Sequence, residues 1–303
     1  MALSNDEKAR LLRIVTWASV GTASFLVLLK LYAWSVTESL SLMATLIDSF
    51  LDVCASLVTF VAVRQALVPP DAEHRFGHGK AEPLAALAQS AFVAGSALFL
   101  LIEAVRRLID PHPVVDTAVG YAVLVIAILA SLALTLGQSY VAKRTGSLAI
   151  KADRLHYASD MAVNAAVILA LVVVEVFGWP AADALFAIAI GLFILYTALG
   201  LARSALDMLL DRELPDAQRQ AILREIEGTG ELAGWHDLRT RASGSMAFVQ
   251  LHIELDGRIA LVESHRIAED LEQRIAAALG SAEVIIHQDP YPEHRALAAD
   301  HQQ

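Results

Sequence analysis

Six segments of this chain are long and apolar enough to cross a membrane, and no other feature constrains its fold as strongly. A transmembrane helix needs about 20 mostly apolar residues. The segments span residues 14–36, 40–67, 83–109, 117–142, 148–176 and 182–206. Hydrophobic residues make up 56% of the chain, whereas an ordinary soluble domain has about 45–50%. The sequence therefore predicts a multi-pass α-helical membrane protein, with six transmembrane helices in a domain over residues 1–208.

Lysine and arginine predict how this domain is oriented. They concentrate in the N-terminal arm and in the second and fourth connectors, at Lys8, Arg10, Arg13, Arg64, Arg75, Lys80, Lys143, Arg144, Lys151 and Arg154. Cytoplasmic loops carry an excess of these residues. Arg106 and Arg107 run against the trend but are outnumbered. With six spans, both termini are expected in the cytoplasm.

The region after the sixth span has the pattern of a soluble domain. Residues 215–227 and 262–279 have helical spacing, while residues 236–242, 246–255 and 283–288 are predicted strands. The second strand alternates with period two, which is typical of a half-buried strand. The order α-β-β-α-β predicts a small ferredoxin-like α+β domain over residues 209–292, followed by a disordered tail over residues 293–303. The net charge of −10 argues against a nucleic-acid partner, and the single Cys54 excludes an internal disulfide.

Two carboxylates interrupt the second apolar segment. Asp48 and Asp52 are four residues apart, so they share one face of a helix. A central aspartate costs at least about 2.5 kcal/mol on membrane-insertion scales. Two such charges in close proximity drive one of the pair to take up a proton. A positively charged partner is therefore expected nearby.

The fifth segment offers side chains for the same site. His156 and Asp160 are again four residues apart, near the middle of their span. If the second and fifth helices face each other, one imidazole and three carboxylates meet, a set that suits tetrahedral Zn²⁺. The alternative is that these are isolated polar residues that form hydrogen bonds between helices.

Histidines outside the spans form two further groups. Asp71, His74 and His78 have spacings of three and four, so they can surround one ion, although loop histidines are often only solvated. The soluble region holds His236, His252, His265, His287 and Asp289. These residues come from several elements, and the sequence does not show whether they converge.

Several short motifs resemble the cation diffusion facilitator family over nearly the whole chain. The motifs are DSFLD, FGHGKAE, ADRLHYASD, HDLRTR and VIIHQDP. The resemblance implies a homodimer in the bacterial inner membrane, with a metallochaperone-like cytoplasmic domain, and it implies exchange of divalent metal for protons without an organic cofactor. It assigns three sites: a transport site (Asp48, Asp52, His156, Asp160), a connector site (Asp71, His74, His78) and a binuclear cytoplasmic site (His236, His252, His265, His287, Asp289). In the last, Asp289 would bridge two ions.

These expectations compete with two other functions. A membrane-embedded metal hydrolase needs an open metal position for water, which four protein ligands would close. A non-transporting metal sensor would leave the carboxylates of the second span unexplained. The transporter is therefore the favoured interpretation, with Zn²⁺ as transported and regulatory ion. Imidazole ligands also suit Cd²⁺ and Fe²⁺, and they fit Mg²⁺ or Ca²⁺ poorly.

Overall fold

The computed structural model describes residues 5–37, 40–109, 118–177, 179 and 181–291. The chain divides into two compact units, one ending at Leu206 and the other beginning at Asp207. The tail predicted over residues 293–303 lies outside the described residues.

Six long helices form the first unit, as the sequence predicts. They are α1 (Asn5–Thr37), α2 (Leu40–Ala66), α3 (Ala81–Ile109), α4 (Ala118–Thr145), α5 (Leu148–Phe177) and α6 (Ala182–Leu209). Within the described residues, α1, α2, α3, α4 and α6 contain segments long and apolar enough to span a membrane. Helix α5 is 30 residues long, but its first half carries Lys151, Asp153, Arg154 and Asp160.

Interhelical packing brings the candidate site helices together. Helix α1 packs on α2 and α4, while α5 packs on α3, on α4 and on α2. Buried apolar side chains such as Val63, Val141 and Ile150 join α2, α4 and α5. Large apolar side chains on the outside of the helices, including Phe99 and Phe193, remain exposed, as expected for surfaces that face lipid.

Helices α3 and α6 meet at a few small residues. Ala97 and Ala198 lie in one buried cluster with Val93 and Ile194. A Cβ atom on Gly191 would lie 2.9 Å from the Leu101 side chain, so glycine permits this approach. At one end of the pair, Arg107 of α3 donates a 2.9 Å hydrogen bond to Asp183 of α6 and lies 3.3 Å from Glu103. This arginine, one of the two that oppose the charge trend, is therefore paired.

The second unit has the predicted α-β-β-α-β order. Its elements are α7 (Asp216–Glu227), β1 (Gly234–Ser243), β2 (Met246–Asp256), α8 (Leu261–Leu279) and β3 (Ala282–Tyr291). Strand β2 is central, antiparallel to β1 and parallel to β3. Val249, Leu251 and Ile253 on one face of β2 pack against α7 and α8 in a buried core. This arrangement confirms the predicted α+β domain and leaves the other sheet face for polar side chains.

Candidate metal sites

Three of the four predicted transport-site residues meet between α2 and α5. His156 Nε2 lies 3.1 Å from Asp52 Oδ1 and 3.6 Å from Asp160 Oδ2. One ligand atom from each of the three side chains falls within 4.8 Å of the others. The imidazole is almost fully buried, whereas 40% of the Asp160 side chain is exposed. Asp48, one helical turn before Asp52, is exposed and is not part of this group.

Aromatic residues surround the imidazole of His156. The ring of Phe92 in α3 contacts it edge to face, with centroids 5.7 Å apart. The ring of Tyr157 lies at a centroid distance of 5.4 Å. Low-polarity walls strengthen every electrostatic interaction of the site, so the imidazole and its two carboxylates interact in a partly shielded environment.

A buried polar network next to this site was not predicted from the sequence. The Tyr157 hydroxyl donates to the Ser19 carbonyl at 3.1 Å and lies 2.8 Å from Ser56 Oγ. Gln138 Nε2 contacts Asp153 Oδ2 at 2.7 Å and Ser19 Oγ at 3.1 Å. The network links α1, α2, α4 and α5 around the helical turns that carry Asp52 and His156. Buried polar groups need hydrogen-bond partners. The polar residues within the apolar helices could therefore have been predicted to contact one another.

Lys30 of α1 also has contacts that were not predicted from the sequence. Its Nζ donates to Ser49 Oγ at 2.7 Å and to the Thr45 carbonyl at 3.1 Å. Both acceptors belong to α2, on the turns that carry Asp48 and Asp52. An ionisable residue within an apolar span is a sign of function or pairing, and this rule could have drawn attention to Lys30.

All three residues of the predicted connector site meet. His74 Nδ1 lies 3.4 Å from Asp71 Oδ1, and His78 Nε2 lies 3.4 Å from Asp71 Oδ2. The backbone N–H groups of His74 and Glu73 donate to Asp71 Oδ1 at 2.6 and 2.9 Å. The N–H of His74, followed by that of Glu73, lowers the pKa of the Asp71 carboxyl, because both bonds favour its charged form. Gly77 adopts a φ of +75°, a conformation that favours glycine.

Strand register brings the cytoplasmic-site histidines together. His236 of β1 pairs with His252 of β2, which pairs in turn with His287 of β3. Asp289 Oδ2 lies 2.9 Å from His252 Nδ1 and 3.5 Å from His236 Nε2, while its Oδ1 lies 3.3 Å from His287 Nε2. The two oxygens of one carboxylate therefore contact different histidines. His265, exposed on α8, does not join the group.

Glu254 is an unpredicted neighbour of the cytoplasmic site. Its side chain is buried, and Oε1 lies 3.4 Å from His236 Nδ1. It pairs with Asp289 on β3 and lies two residues after His252. Alternate residues of a strand lie on the same face of the sheet. The position of Glu254 two residues after His252 is therefore the sequence signal that could have identified it. The pairing of β1 with β2 shifts register between His236 and Arg239. Asp237, which lies within this interval, has a positive φ of 51°.

Comparisons with known proteins agree with these observations. Residues 16–210 match the cation efflux transmembrane domain, and residues 214–291 match the cation efflux protein cytoplasmic domain. The proteins described as Cation-efflux pump FieF from Salmonella schwarzengrund (strain CVM19633) and Salmonella choleraesuis (strain SC-B67) are each 46% identical over 286 residues, covering 94% of this chain and 95% of theirs. A solved structure of CzrB (Zn form) matches 27% of this chain and 96% of its own at 30% identity, with a TM-score of 0.25, too low to support a structural argument. The chain belongs to the cation efflux family, also called the cation diffusion facilitator family, and is a metal-cation transporter rather than an enzyme.

Proposed function

We propose that this protein is a divalent metal/proton antiporter that exports Zn²⁺ from the cytoplasm, with Cd²⁺ and Fe²⁺ as further substrates. The observation that carries the proposal is the meeting of Asp52, His156 and Asp160 from two neighbouring helices, within 4.8 Å. The similarity to proteins described as Cation-efflux pump FieF supports the direction of transport.

The spacing of the ligand atoms supports a tetrahedral ion. With metal–ligand distances of about 2.0 Å, two ligands of a tetrahedral ion lie about 3.3 Å apart. The distances from His156 Nε2 to Asp52 Oδ1 and Asp160 Oδ2 are 3.1 and 3.6 Å. Asp48 is proposed as the fourth ligand, since it lies one helical turn from Asp52 and a change of side-chain rotamer can redirect its carboxylate.

Competition between metal and protons supplies the energy coupling. Metal ligands must lose protons before they bind, so metal binding releases protons. Zn²⁺ therefore displaces protons from the site on the near-neutral cytoplasmic side. Protons compete with the ion and release it on the more acidic outer side. His156 suits this exchange, because an imidazole has an unperturbed pKa near 6.5. Rocking of helices would alternate access to the site.

The other two sites are proposed to bind regulatory metal. His236, His252, His287 and Asp289 have the donor types that Zn²⁺ prefers, and the two oxygens of Asp289 contact different histidines, as a bridging carboxylate requires. His265 is a candidate for an additional ligand on the same domain. Asp71, His74 and His78 would hold a further ion in the connector. A homodimer in the bacterial inner membrane, with both termini in the cytoplasm, is the proposed working form.

The test is zinc flux into proteoliposomes under a pH gradient. Asp52→Ala should abolish metal-driven proton flux while the purified protein keeps its oligomeric state and helical content. Glu269→Ala, at an exposed carboxylate on α8, is the control and should transport normally. Ordinary flux in Asp52→Ala would remove this residue from the transport site and defeat the proposal.

Substrate choice is tested with the same vesicles. Zn²⁺, Cd²⁺ and Fe²⁺ should each drive counterflow of protons, whereas Mg²⁺ and Ca²⁺ should not, since both prefer sites made only of oxygen ligands. Equal flux with Mg²⁺ would argue against His156 as a ligand.

A further inference from the structure

Three buried oxygen atoms near the proposed transport site have no hydrogen-bond donor within the described residues. They are Gln89 Oε1, Gln138 Oε1 and Asp153 Oδ1, and the three residues are at most 3% exposed. Buried acceptors are normally satisfied, so an exception of this kind points to a water molecule or an ion. We refer to Gln89, Gln138 and Asp153 as the inner polar cluster.

Hydrogen bonds fix the amide nitrogens of the two glutamines. Gln138 Nε2 donates to Asp153 Oδ2 at 2.7 Å. Gln89 Nε2 donates to the Ala55 carbonyl at 2.9 Å and to Thr59 Oγ1. The orphaned atoms of the cluster are therefore all acceptors, which suits a cation as their partner.

The cluster lies one helical turn from the transport site. The rings of Phe92 in α3 and His156 in α5 are in contact, and Gln89 and Asp153 each lie three residues before one of these rings. The two helices run in the same direction, because one span separates them along the chain, so Gln89 and Asp153 lie at the same level. The Gln89 amide is accordingly a neighbour of the Asp153 carboxyl group. This turn is nearer than His156 to the proposed cytoplasmic ends of α3 and α5.

Solvent exposure differs between the two sides of the transport site. On the outer side, the Asp160 side chain is 40% exposed, and Asp48 is also exposed. On the inner side, Asp153 and Gln138 are fully buried. The direct route from the cytoplasm to the transport site therefore passes the inner polar cluster, which is closed to solvent in this conformation.

We infer that the inner polar cluster binds the incoming divalent cation in transit, and that its oxygens replace part of the water shell of the ion before it enters the transport site. This inference rests on the proposed function, because it takes the cytoplasm as the origin of the ion. Carboxylate and amide oxygens are general ligands for divalent cations. The imidazole that Zn²⁺ prefers is supplied only one turn further on, by His156. Movement of the helices would open the cluster to the cytoplasm.

Two substitutions of Gln89 separate its oxygen from its amide nitrogen. Gln89→Glu keeps an oxygen at this position and loses the amide donor, whereas Gln89→Met keeps only the approximate length of the side chain. If Gln89 merely ties α3 to α2 through its amide, both variants should be impaired alike. If its oxygen contacts the ion, Glu should function and Met should not. Gln65→Met, at an exposed glutamine of α2, is the matched control.

The measurement is the initial rate of Zn²⁺ uptake into proteoliposomes that contain the full-length protein and an internal zinc indicator. Uptake reports entry through the cytoplasmic face of the molecules that carry this face outward. The value of kcat/KM should fall at least about tenfold in Gln89→Met, since a charged species loses one polar partner. It should change by less than about threefold in Gln89→Glu, which keeps that partner, and in Gln65→Met.

Equilibrium binding is the readout that a purely structural role would change. The Kd of Zn²⁺ is measured in nanodiscs, with Asp71→Ala and Asp289→Ala in the background to weaken the connector and cytoplasmic sites. The Kd should be unchanged in Gln89→Met, because every proposed transport-site ligand is kept. A Kd that rises in step with the loss of rate would overturn the transit role and leave Gln89 as a residue that positions the helices.

The remaining outcomes distinguish this inference from the proposed function. Equal rates in Gln89→Met and Gln65→Met would overturn the inner polar cluster as part of the ion's route, and so would equal losses in Gln89→Met and Gln89→Glu. Asp52→Ala in the same background should abolish Zn²⁺ binding, and retention of binding there would overturn the transport-site assignment itself. Slow uptake in Gln89→Met alone, with a native Kd, is the result that the inference requires.

Discussion

The buried hydroxyl of Tyr157 gives a prediction whose size follows from the hydrogen bonds that it makes. Tyr157 is 1% exposed. Its proton is donated to the Ser19 carbonyl at 3.1 Å, so the hydroxyl of Ser56, at 2.8 Å, must donate to the tyrosine oxygen. Tyr157→Phe removes both interactions and leaves the ring packing nearly unchanged.

The expected loss is about 1–2 kcal/mol in the free energy of unfolding. Hydrogen bonds between transmembrane helices contribute about 0.6 kcal/mol on average and up to about 1.7 kcal/mol. The Ser19 carbonyl belongs to the interior of α1 and keeps its helical hydrogen bond. Ser56 can turn its hydroxyl to the carbonyl four residues earlier. Loss of the two hydrogen bonds therefore lowers the free energy of unfolding by less than it would if the Ser19 carbonyl and the Ser56 hydroxyl were left without partners.

The assay is unfolding in mixed micelles with increasing SDS, followed by circular dichroism. Tyr196→Phe is the matched control, because Tyr196 is 77% exposed. Removal of its hydroxyl should change the free energy of unfolding by less than about 0.5 kcal/mol. Zinc binding should survive in Tyr157→Phe, since no proposed ligand is removed. If Tyr157→Phe unfolds at the same SDS fraction as the control, the network does not stabilise the helix bundle and the reasoning is refuted.

Three further predictions concern the regions outside the spans. Leu251→Ala, at a fully buried core position, should destabilise the C-terminal unit by about 2–5 kcal/mol, as measured by calorimetric unfolding. Val262→Ala, at a position 81% exposed, is its control. Equal unfolding temperatures for the two variants would contradict the core assignment. Asp289→Asn should weaken zinc binding to the cytoplasmic site by at least about tenfold, as measured by titration calorimetry, whereas unchanged affinity would exclude Asp289 as a ligand. The hydrogen bonds that lower the pKa of Asp71 should protect the amides of His74 and Glu73 fully above the ordinary aspartate pKa near 3.9. That protection, measured as the observed exchange rate relative to the intrinsic rate at each pH, should be lost only as the pH falls through the lower pKa of Asp71 in the folded loop. A protection factor that does not change with pH would contradict the prediction.

The sequence was sufficient to predict the main elements of the fold, because each element is encoded by a local pattern of apolar residues. Apolar segments of 20 or more residues identified the membrane helices, and α5 was included although its first half is polar. The period-two pattern of β2 identified its buried face, which the structure confirms at Val249, Leu251 and Ile253. Boundaries were less well predicted at the N-terminus, where α1 begins at Asn5 rather than near residue 14. The polar first turns of that helix contain residues that an apolar-segment criterion excludes.

Contacts between elements were harder to predict, because they depend on tertiary packing. Helical spacing placed Asp52 with Asp48 and His156 with Asp160, but only the packing of α2 on α5 brings Asp52 to His156. Strand register, which the sequence left open, aligns His236, His252 and His287. The position of Lys30 was missed for the same reason: nothing in α1 alone indicates that its ammonium contacts α2.

The central claim is that one group of side chains binds either a divalent ion or protons. Its most direct test is the number of protons released when Zn²⁺ binds to the transport site, measured by calorimetry in buffers of different ionisation enthalpy. The protein would carry Asp71→Ala and Asp289→Ala, so that the transport site dominates the signal. We predict that zinc binding releases protons near neutral pH, and that His156→Ala releases fewer while binding more weakly. Zinc binding without proton release, across the pH range in which imidazole titrates, would contradict the account.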